Sequence, residues 1–261
     1  MLAVERQHRI LDMLLKSRAV TTARAARALA VSEETVRRDF EELEAEGHLA
    51  RKHGGAVRVN DGVNDSRRDL PLDSRETANV AEKEIIAKAA LTLIQKGDRV
   101  FFDASSTVFH LARRLANLEL TVLTNGLKVA IELARRPAVE VILVGGVVNH
   151  HSFSCQGTLT DQLLESYHVQ KVFISCRGLD AKRGLSEANA EQAGLRRKII
   201  KLSDQTIVLA DHTKMGLVSS YFFARWEDVD TVVTDRPLEN KIKRALQRSR
   251  CKLLVPEEER T

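Results

Sequence analysis

The chain has 261 residues, of which 43% are hydrophobic, so it is long enough and apolar enough for one small domain and one of ordinary size. Its 41 basic and 36 acidic residues leave a net charge of +5, which permits a nucleic-acid partner without requiring one. No apolar run approaches the roughly 20 residues that a membrane span needs. The first residues are charged where a signal peptide would have its apolar core, so we predict a cytoplasmic protein. The three cysteines are unclustered, which excludes a disulfide framework and a CxxC zinc site, and we expect no cofactor.

The N-terminal part predicts three short helices. Apolar residues recur at helical spacing over 4–17 and again over 22–29, and a third helical segment begins at Ser32 and ends near Gly47. Only two residues separate the second segment from Ser32. A turn that tight between two short helices is typical of a helix-turn-helix.

The third predicted helix has one apolar face. Val36, Phe40 and Leu43 follow one another at i, i+4 and i+7, so they can be buried together. Ser32 can cap the helix by accepting a hydrogen bond from a free backbone amide of the first turn. The helix is therefore expected to pack through one side and to present the other.

The remaining side of this helix can face DNA. Arg37 or Arg38 can reach guanine O6 and N7 in the major groove, and Thr35 can meet a thymine methyl group or a phosphate. The alternative is an ordinary amphipathic surface helix in which Arg37 pairs with Glu41 at i+4.

Residues 49–59 predict a two-stranded hairpin with a Gly54-Gly55 turn and a basic leading strand. Three helices followed by a basic hairpin predict a winged helix, whose wing would hold the DNA backbone and so position the reading helix. The residues predicted to contact DNA are Ser32, Thr35, Arg37, Arg38, Arg51, Lys52 and His53.

Residues 60–79 are rich in Asn, Asp, Ser and Pro and poor in apolar residues, which predicts a linker. The pair Arg67-Arg68 could touch the DNA backbone, although a solvated linker is the more expected role. The predicted domains are a winged helix over 1–59, a linker over 60–79 and a larger domain over 80–261.

The larger domain alternates short apolar segments with helical ones. Strands are predicted over 100–102, 120–123, 140–144, 171–175, 206–210, 231–234 and 252–255, with helices over 108–115, 128–134, 160–167 and 191–201. This alternation predicts an α/β, Rossmann-like domain with a largely parallel sheet that is covered on both faces. Ligands bind such sheets at the carboxyl edge of the strands.

Polar residues accumulate where the predicted strands end. Asp103 is followed by Ser105, Ser106 and Thr107 at a predicted helix start, where hydroxyls and free amides together can bind a phosphate. The alternative is that a serine simply caps this helix. Other polar or glycine residues at strand ends are Asn125, Gly145, Gly146, Asp180, Asp211 and Lys214. The glycines would allow close approach of a ligand, the aspartates could accept hydrogen bonds from sugar hydroxyls, and Lys214 could neutralise a phosphate.

Both halves of the chain resemble the DeoR family of bacterial transcriptional regulators. In the N-terminal half the matching residues are Arg6, Ile10, Leu14, Ser32, Thr35 to Phe40 and His53 to Ala56. In the C-terminal half they are Asp103-Ala-Ser-Ser-Thr107, Leu123-Thr-Asn125, Val144-Gly-Gly146, Gly178-Leu-Asp180, Gly184-Leu185, Leu209-Ala-Asp211, Lys214, Gly216 and Asp230 to Asp235. Together they cover nearly the whole chain.

The resemblance implies a sensor domain that is similar in fold to sugar-phosphate isomerases and binds phosphorylated sugars as effectors. Carried over residue by residue, Ser105, Ser106 and Thr107 would hold the phosphate. The residues that would line the sugar are Asp103, Asn125, Glu191, Asp211 and Lys214. Two positions depart from the family pattern: Ser105 stands where glycine is usual, and Arg196 stands where lysine is common and can bind an oxyanion through two parallel hydrogen bonds.

We therefore predict a repressor of a sugar or polyol operon that binds double-stranded operator DNA as a dimer or tetramer and responds to a phosphorylated sugar. One alternative is an active sugar-phosphate isomerase with Asp103, Asp180, Glu187 or Glu191 as its base, although Arg177 stands where the resembling isomerases supply an acid. Another is metal sensing by His150, His151 and Cys155, for which a polar loop is the more expected role.

Overall fold

The computed structural model describes residues 3–17, 19–45, 49–52, 54–58 and 69–256. The chain divides into two compact units, residues 1–65 and 66–261. The predicted wing residue His53 and the pair Arg67-Arg68 lie outside the described residues. Within the described ranges, no helix has both the length and the apolar character that crossing a membrane requires.

The smaller unit contains the predicted helices and hairpin. Its elements are α1 (Ala3–Ser17), β1 (Ala19–Thr21), α2 (Thr22–Leu29), α3 (Glu33–Ala45), β2 (Leu49–Lys52) and β3 (Gly55–Arg58). Ser32 caps α3 as predicted, because its hydroxyl accepts a hydrogen bond from the Thr35 amide at 3.1 Å. Val36, Phe40 and Leu43 are buried against α1 and α2, which confirms the predicted apolar face.

Strand β1 is absent from the predicted elements because three residues are too few to show alternation. It pairs antiparallel with β3 and extends the hairpin to a three-stranded sheet in the order β1-β3-β2. The close approach of β1 explains Gly55, since a Cβ there would lie 2.4 Å from the Val20 carbonyl oxygen. Gly54 supplies the turn with a φ of +81°.

The larger unit has a central parallel sheet. Its strands are β4 (Arg99–Phe102), β5 (Leu120–Thr124), β6 (Val139–Leu143), β7 (Val147–Asn149), β8 (Ser154–Gln156), β9 (Val169–Ile174), β10 (Gly178–Asp180), β11 (Gly184–Glu187), β12 (Ser203–Leu209), β13 (Tyr221–Ala224), β14 (Thr231–Val233) and β15 (Lys252–Leu254). Seven of them form the sheet in the order β15-β14-β12-β9-β4-β5-β6, with every neighbouring pair parallel. These seven are the strands that the sequence predicts.

Helices cover both faces of this sheet, as predicted. They are α4 (Leu72–Thr77), α5 (Val80–Leu91), α6 (Ser106–Arg114), α7 (Leu127–Leu133), α8 (Thr158–Glu165), α9 (Ala190–Lys201) and α10 (Asn240–Ser249). Apolar residues of α5, α6 and α7 share one buried cluster with one face of the sheet. Residues of α8, α9 and α10 share another cluster with the opposite face. Because the strands are parallel, their carboxyl ends meet at one edge.

Several elements of the larger unit have no counterpart in the predicted ones. Strands β7 and β8 form a hairpin, and β10, β11 and β13 form a small antiparallel sheet. Each of these strands has only three or four residues, too few for a clear periodic signal. Helix α4 lies within the stretch 60–79 that composition predicts to be a linker. Its one buried apolar side chain is Leu72, and polar contacts hold the rest of the helix, so a hydrophobic pattern does not reveal it.

Candidate functional site

The exposed side of α3 carries two arginines with different surroundings. Arg37 forms ion pairs with Glu34 at 3.3 Å and with Glu33 at 3.6 Å. Arg38 is also exposed, and among the described residues no carboxylate lies within 4 Å of it. Thr35 is half-buried, and its hydroxyl lies 2.9 Å from that of Ser32. Arg38 is therefore the side chain of α3 that is most available to a base edge.

The expected pair between Arg37 and Glu41 is not formed. Arg37 turns toward the start of the helix, where Glu33 and Glu34 carry the charge that the helix dipole favours. Glu41 instead accepts a hydrogen bond from Arg51 of β2 at 2.6 Å. Such exposed pairs contribute about 0.2–1 kcal/mol each, so a phosphate can replace them. In the described part of the wing, Lys52 has no carboxylate within 4 Å and is exposed.

Replacing Arg38 by alanine should weaken operator binding by about 1–3 kcal/mol at one base pair and relax the preference there. The measurement is competition binding at fixed salt, with an operator selected from random DNA and its single-base variants. Arg9→Ala on α1, which removes another exposed arginine, is the matched control and should leave this preference intact. An Arg38→Ala protein with the affinity and selectivity of the parent would contradict this placement of the helix.

At the carboxyl edge of the sheet, Asp103 and Arg196 form a buried ion pair. The Asp103 carboxylate accepts hydrogen bonds from the Ser105 amide at 2.9 Å and the Ser175 amide at 3.2 Å. Its Oδ2 also lies 2.8 Å from Arg196 Nη2. Asp103 therefore holds Arg196 in place. Its Oδ1 accepts one hydrogen bond and can accept another, and Asp103 lines the cavity described below, so its contact with a sugar stays a prediction.

Arg196 joins this pair to a second buried carboxylate. Its Nη1 lies 2.7 Å from Glu187 Oε2. Burial alone would lower the pKa of the Arg196 guanidinium, but the charges of Asp103 and Glu187 outweigh it and hold that pKa above its ordinary value. From the sequence, Glu187 is predicted only as a possible catalytic base. Here it is a counter-ion of Arg196.

The loop after β4 presents the three predicted hydroxyl residues at the start of α6. Ser105, Ser106 and Thr107 are all buried. Ser105 is the N-cap of α6, and its hydroxyl accepts a hydrogen bond from the Val108 amide at 3.3 Å. The capping alternative therefore holds for Ser105, which leaves Ser106 and Thr107 as the hydroxyls of the helix start that can meet a ligand.

Five polar atoms near this edge are buried without a hydrogen-bond partner in the described part of the chain. They are Arg75 Nη2, Glu76 Oε1, Asn125 Oδ1, Gln192 Nε2 and Asp211 Oδ2. Buried polar atoms in folded proteins nearly always have partners, and leaving one unpaired costs about 1–3 kcal/mol. Two of these atoms are hydrogen-bond donors and three are acceptors, so they suit a ligand that has both acceptor and donor groups.

A small cavity lies among some of these residues. It has a volume of about 10 Å³, room for roughly one water molecule. The residues that line it are Asp103, Ala104, Asn125, Ser154, Gln192, Leu195 and Arg196. A larger ligand would bind here only if a covering segment moved.

Helix α4 is the segment that covers this edge. Leu72 N donates to the His151 carbonyl at 2.7 Å, and Lys128 of α7 binds Asp73 at 2.6 Å and Glu76 at 2.8 Å. Arg75 of this helix is partly buried: its Nη2 is fully covered, and its Nε donates to the Leu70 carbonyl at 3.0 Å. Burial is the main cause that lowers the pKa of Arg75, and the charge of Arg196 lowers it further. Arg75 therefore belongs to the site, although its turn-rich segment gives no sequence signal for it.

Lys83, in the first turn of α5, is a second buried cation that the sequence analysis missed. Its ammonium donates to the carbonyls of Arg75 and Ala78. Burial, together with the nearby charge of Lys214, lowers the pKa of Lys83 to about 8. An anion placed beside it would stabilise its charged form.

Asp211 and Lys214 lie near Lys83, because their charges change the pKa of that lysine. The charges of both residues act on Lys83 and on the buried thiol of Cys176. Asp211 Oδ1 caps the 3₁₀ turn 212–214 by accepting a hydrogen bond from the Thr213 amide at 2.9 Å. Lys214 is half-buried, and no carboxylate of the described residues lies within 4 Å of its ammonium. It is thus a cation without a counter-ion beside the site.

Four predicted site residues have other local roles. Asp180 Oδ1 accepts hydrogen bonds from the Lys182 and Arg183 amides in the β10–β11 turn and does not line the cavity. A Cβ at Gly146 would lie 2.1 Å from Thr160 Oγ1, so this glycine admits α8, and Thr160 donates to the Gly145 carbonyl at 2.8 Å. Glu191 is exposed and accepts a hydrogen bond from Gln156.

Among the described residues, His150, His151 and Cys155 do not form a group whose ligand atoms lie close enough together to hold one ion. The centres of the two histidine rings lie 4.1 Å apart and the rings are tilted by 39°, while Cys155 is buried and its amide donates to the Asn125 carbonyl. The group in the described ranges whose ligand atoms lie close enough for an ion is Glu82, His212 and Asp235. Arg236 already pairs with Asp235 at 2.9 Å and with Glu82 at 3.7 Å. These residues are therefore a charge network.

The winged helix and the α/β unit define a class: a helix-turn-helix DNA-binding protein joined to a second unit with a candidate ligand site. Residues 6–61 match the DeoR-like helix-turn-helix domain, and residues 78–236 match the DeoR C terminal sensor domain. The chain belongs to the DeoR family of transcriptional regulators.

Named relatives align over nearly the whole chain. The uncharacterized HTH-type transcriptional regulator YulB of Bacillus subtilis is 38% identical over 97% of this chain and 96% of its own length. The HTH-type transcriptional repressor GlcR of Bacillus subtilis is 34% identical over 98% of this chain and 97% of its own. Among solved structures, the full-length sorbitol operon regulator SorC of Klebsiella pneumoniae aligns over 90% of this chain and 91% of its own, with 13% identity and a TM-score of 0.38.

Proposed function

We propose that this chain is a repressor of a sugar or polyol operon that binds operator DNA as a homo-oligomer and is regulated by a phosphorylated sugar at the carboxyl edge of its sheet. The relative GlcR is a transcriptional repressor by name, which supports repression as the direction of regulation. The winged helix supplies the DNA-reading surface.

The observation that carries the effector proposal is the set of unpaired buried atoms beside uncompensated cations. Arg75 Nη2 is a donor without a partner in the described chain, and Lys214 is a cation without a counter-ion there. A phosphate is an acceptor with negative charge and satisfies both. Sugar hydroxyls donate and accept, so they suit Asn125 Oδ1, Gln192 Nε2 and Asp211 Oδ2.

In this proposal a ligand larger than one water molecule displaces α4, whose Arg75 lies close enough to Arg196 and Glu187 for their charges to change its pKa. This helix lies within the stretch 60–79 that composition predicts to be a linker, on the side nearer the larger unit, so in this proposal its displacement is passed along the chain to the DNA-binding unit. An effector changes operator affinity by the difference between its affinities for the two arrangements of this segment. In this proposal α4 is the element that couples the site to DNA binding.

Effector affinity should fall about threefold to tenfold as pH rises from 7 to 9. The pKa of Lys83 is lowered to about 8, so the ligand-free protein loses the Lys83 charge in this range, whereas an anion favours the protonated form. The second pKa of the sugar phosphate lies near 6, so the charge of the ligand changes little between pH 7 and 9. The free energy of unfolding of the ligand-free protein should instead rise with pH above 8, because Lys83 holds its proton more tightly in the unfolded chain than in the folded protein. Calorimetry in buffers of different ionisation enthalpy measures the proton uptake; equal affinity at pH 7 and 9 would contradict it.

A thermal-shift screen of the full-length protein tests the effector proposal. At 100 times its dissociation constant a ligand stabilises the folded protein by about 2.7 kcal/mol, which is a shift of several degrees. We expect such a shift from a phosphorylated sugar or polyol and none from its unphosphorylated form or from inorganic phosphate at the same concentration. If no phosphorylated compound raises the melting temperature, or if inorganic phosphate alone accounts for the shift, the proposal fails.

The geometry does not favour the isomerase alternative. A general base needs a carboxylate that can take up a proton from the substrate. Asp103 and Glu187 are both held by Arg196, and Glu187 also accepts a hydrogen bond from the Ala188 amide at 2.8 Å. We expect no turnover of sugar phosphates by the purified protein, and measurable isomerisation would overturn the sensor assignment.

A further inference from the structure

One edge of the larger unit has a concentration of exposed apolar side chains. Nine large hydrophobic residues of the described chain are exposed, and five of them fall within residues 143–163. They are Leu143 at 41%, Val147 at 70%, Val148 at 51%, Leu159 at 65% and Leu163 at 44% exposure. We call these five residues the apolar edge surface. Single exposed apolar residues are ordinary, but a group of them marks an interaction site.

The elements that carry these residues are in direct contact. Gly145 and Gly146 join the end of β6 to β7, and Thr160 of α8 donates a hydrogen bond to the Gly145 carbonyl at 2.8 Å. A Cβ at Gly157, just before α8, would lie 3.9 Å from Val147 Cγ2. Strand β6 is also the last strand of the sheet, and among the described strands none pairs with its outer side.

This part of the chain is almost free of charge. Residues 143–163 contain one acidic residue, Asp161, and no lysine or arginine. Because 30% of the whole chain is charged, about six charged residues would be expected in a segment of this length. Asp161 itself pairs with Lys198 at 3.2 Å. Depletion of charge together with exposed apolar side chains is the composition of an interface core.

We infer that the apolar edge surface binds the same surface of a second copy of this chain. A chain with a net charge of +5 meets least repulsion from its own copy where its surface is uncharged. The lack of cations also makes this face unsuited to DNA phosphates. The chain carries one reading helix, whereas helix-turn-helix proteins bind two half-sites as dimers. The inference rests on the proposed homo-oligomer and names its surface.

A two-fold contact here has the anatomy of a stable dimer interface. In an isologous dimer each patch meets itself, so Val147 and Leu159 of both copies contribute to one apolar centre. A standard interface buries about 800 Å² per partner. Apolar residues of this surface, Val147 and Leu159 first, supply its centre, and the neighbouring Asn149, His150 and Gln162 supply a polar rim.

The same hairpin connects this surface to the candidate effector site. In the β7–β8 ladder Val147 pairs with Gln156 and Val148 pairs with Cys155. On the β8 side, Ser154 lines the cavity, Cys155 exchanges hydrogen bonds with Asn125, and Gln156 binds Glu191. A ligand that shifts β8 therefore shifts β7 within the contact between copies.

The test compares three single substitutions of similarly exposed residues in the full-length protein: Val147→Glu, Leu159→Glu and the control Ile131→Glu. Ile131 is 62% exposed on α7, which packs on the opposite face of the sheet. In sedimentation velocity at micromolar concentration, we expect the parent and Ile131→Glu to be dimers or larger. Val147→Glu and Leu159→Glu should associate at least 100-fold more weakly and be monomers.

Each result has a definite meaning. If the parent is oligomeric and Val147→Glu and Leu159→Glu associate as tightly as it does, the protein is an oligomer but this surface is not its interface. A monomeric parent at operator-binding concentrations overturns the oligomer as well. Circular dichroism and melting temperature establish that each variant is folded. If a variant does not fold, hydrogen exchange of the parent protein provides the test. The amides of residues 147–149 should become better protected as protein concentration rises, and unchanged protection would contradict the inference.

Discussion

Replacing Arg196 by alanine should lower the free energy of unfolding of the larger unit by about 3–5 kcal/mol. Arg196 is 4% exposed, and its guanidinium is the partner of two buried carboxylates, those of Asp103 and Glu187. Without it, two negative charges would face each other in a site from which water is largely excluded. Removing one partner of a buried ion pair is costly for this reason, even though forming the pair contributes little.

Urea denaturation of the parent and three variants would measure this effect. Arg197→Ala, the neighbouring residue on α9, removes an exposed guanidinium with one hydrogen bond to the Phe222 carbonyl and should change stability by about 1 kcal/mol or less. Arg196→Lys keeps the charge but loses the planar fork, so an intermediate loss is expected. If Arg196→Ala unfolds within 1 kcal/mol of the parent, the buried pairs do not hold the site together.

Replacing Lys214 by alanine should weaken effector binding about 10-fold to 100-fold and leave operator binding without effector within twofold of the parent. Lys214 is the half-buried cation that has no carboxylate within 4 Å among the described residues, so its removal strands no buried partner. A hydrogen bond to a charged group contributes about 1.5–3 kcal/mol, which sets the size of the expected loss.

Effector affinity by calorimetry and operator affinity by fluorescence anisotropy separate the two effects. Lys182→Ala in the β10–β11 turn removes an exposed lysine of the same unit and should alter neither. Should Lys214→Ala bind effector like the parent, the phosphate lies elsewhere. A loss of operator binding together with effector binding would indicate damage to the fold instead.

The sequence predicts the architecture well because long-range order in both units follows from local patterns. Val36, Phe40 and Leu43 at helical spacing place the buried side of α3, and seven apolar segments between helices predict the seven parallel strands. The hairpin β7–β8 and the small sheet of β10, β11 and β13 could not be predicted. Their strands are three or four residues long, and pairing with distant segments stabilises them more than their own pattern does.

The site is predicted less well, because its residues act through partners that are distant in sequence. The sequence predicts Asp103 only as a carboxylate that lines the sugar. In the structure it is bound to Arg196, 93 residues away, and Asp103→Ala would leave that arginine buried without one of its two counter-ions. Arg75 and Lys83 are in the site because α4 folds over the sheet edge, and nothing in the composition of residues 69–83 indicates that closure.

The most direct test of the proposed regulation is the operator affinity of the full-length parent, measured by fluorescence anisotropy with and without each phosphorylated sugar that raises its melting temperature. We expect at least one of these compounds to change the dissociation constant at least fivefold, its unphosphorylated form to have no effect, and Lys214→Ala to lose the response. If every stabilising compound leaves operator affinity unchanged, or if Lys214→Ala responds like the parent, the carboxyl edge of this sheet does not control DNA binding.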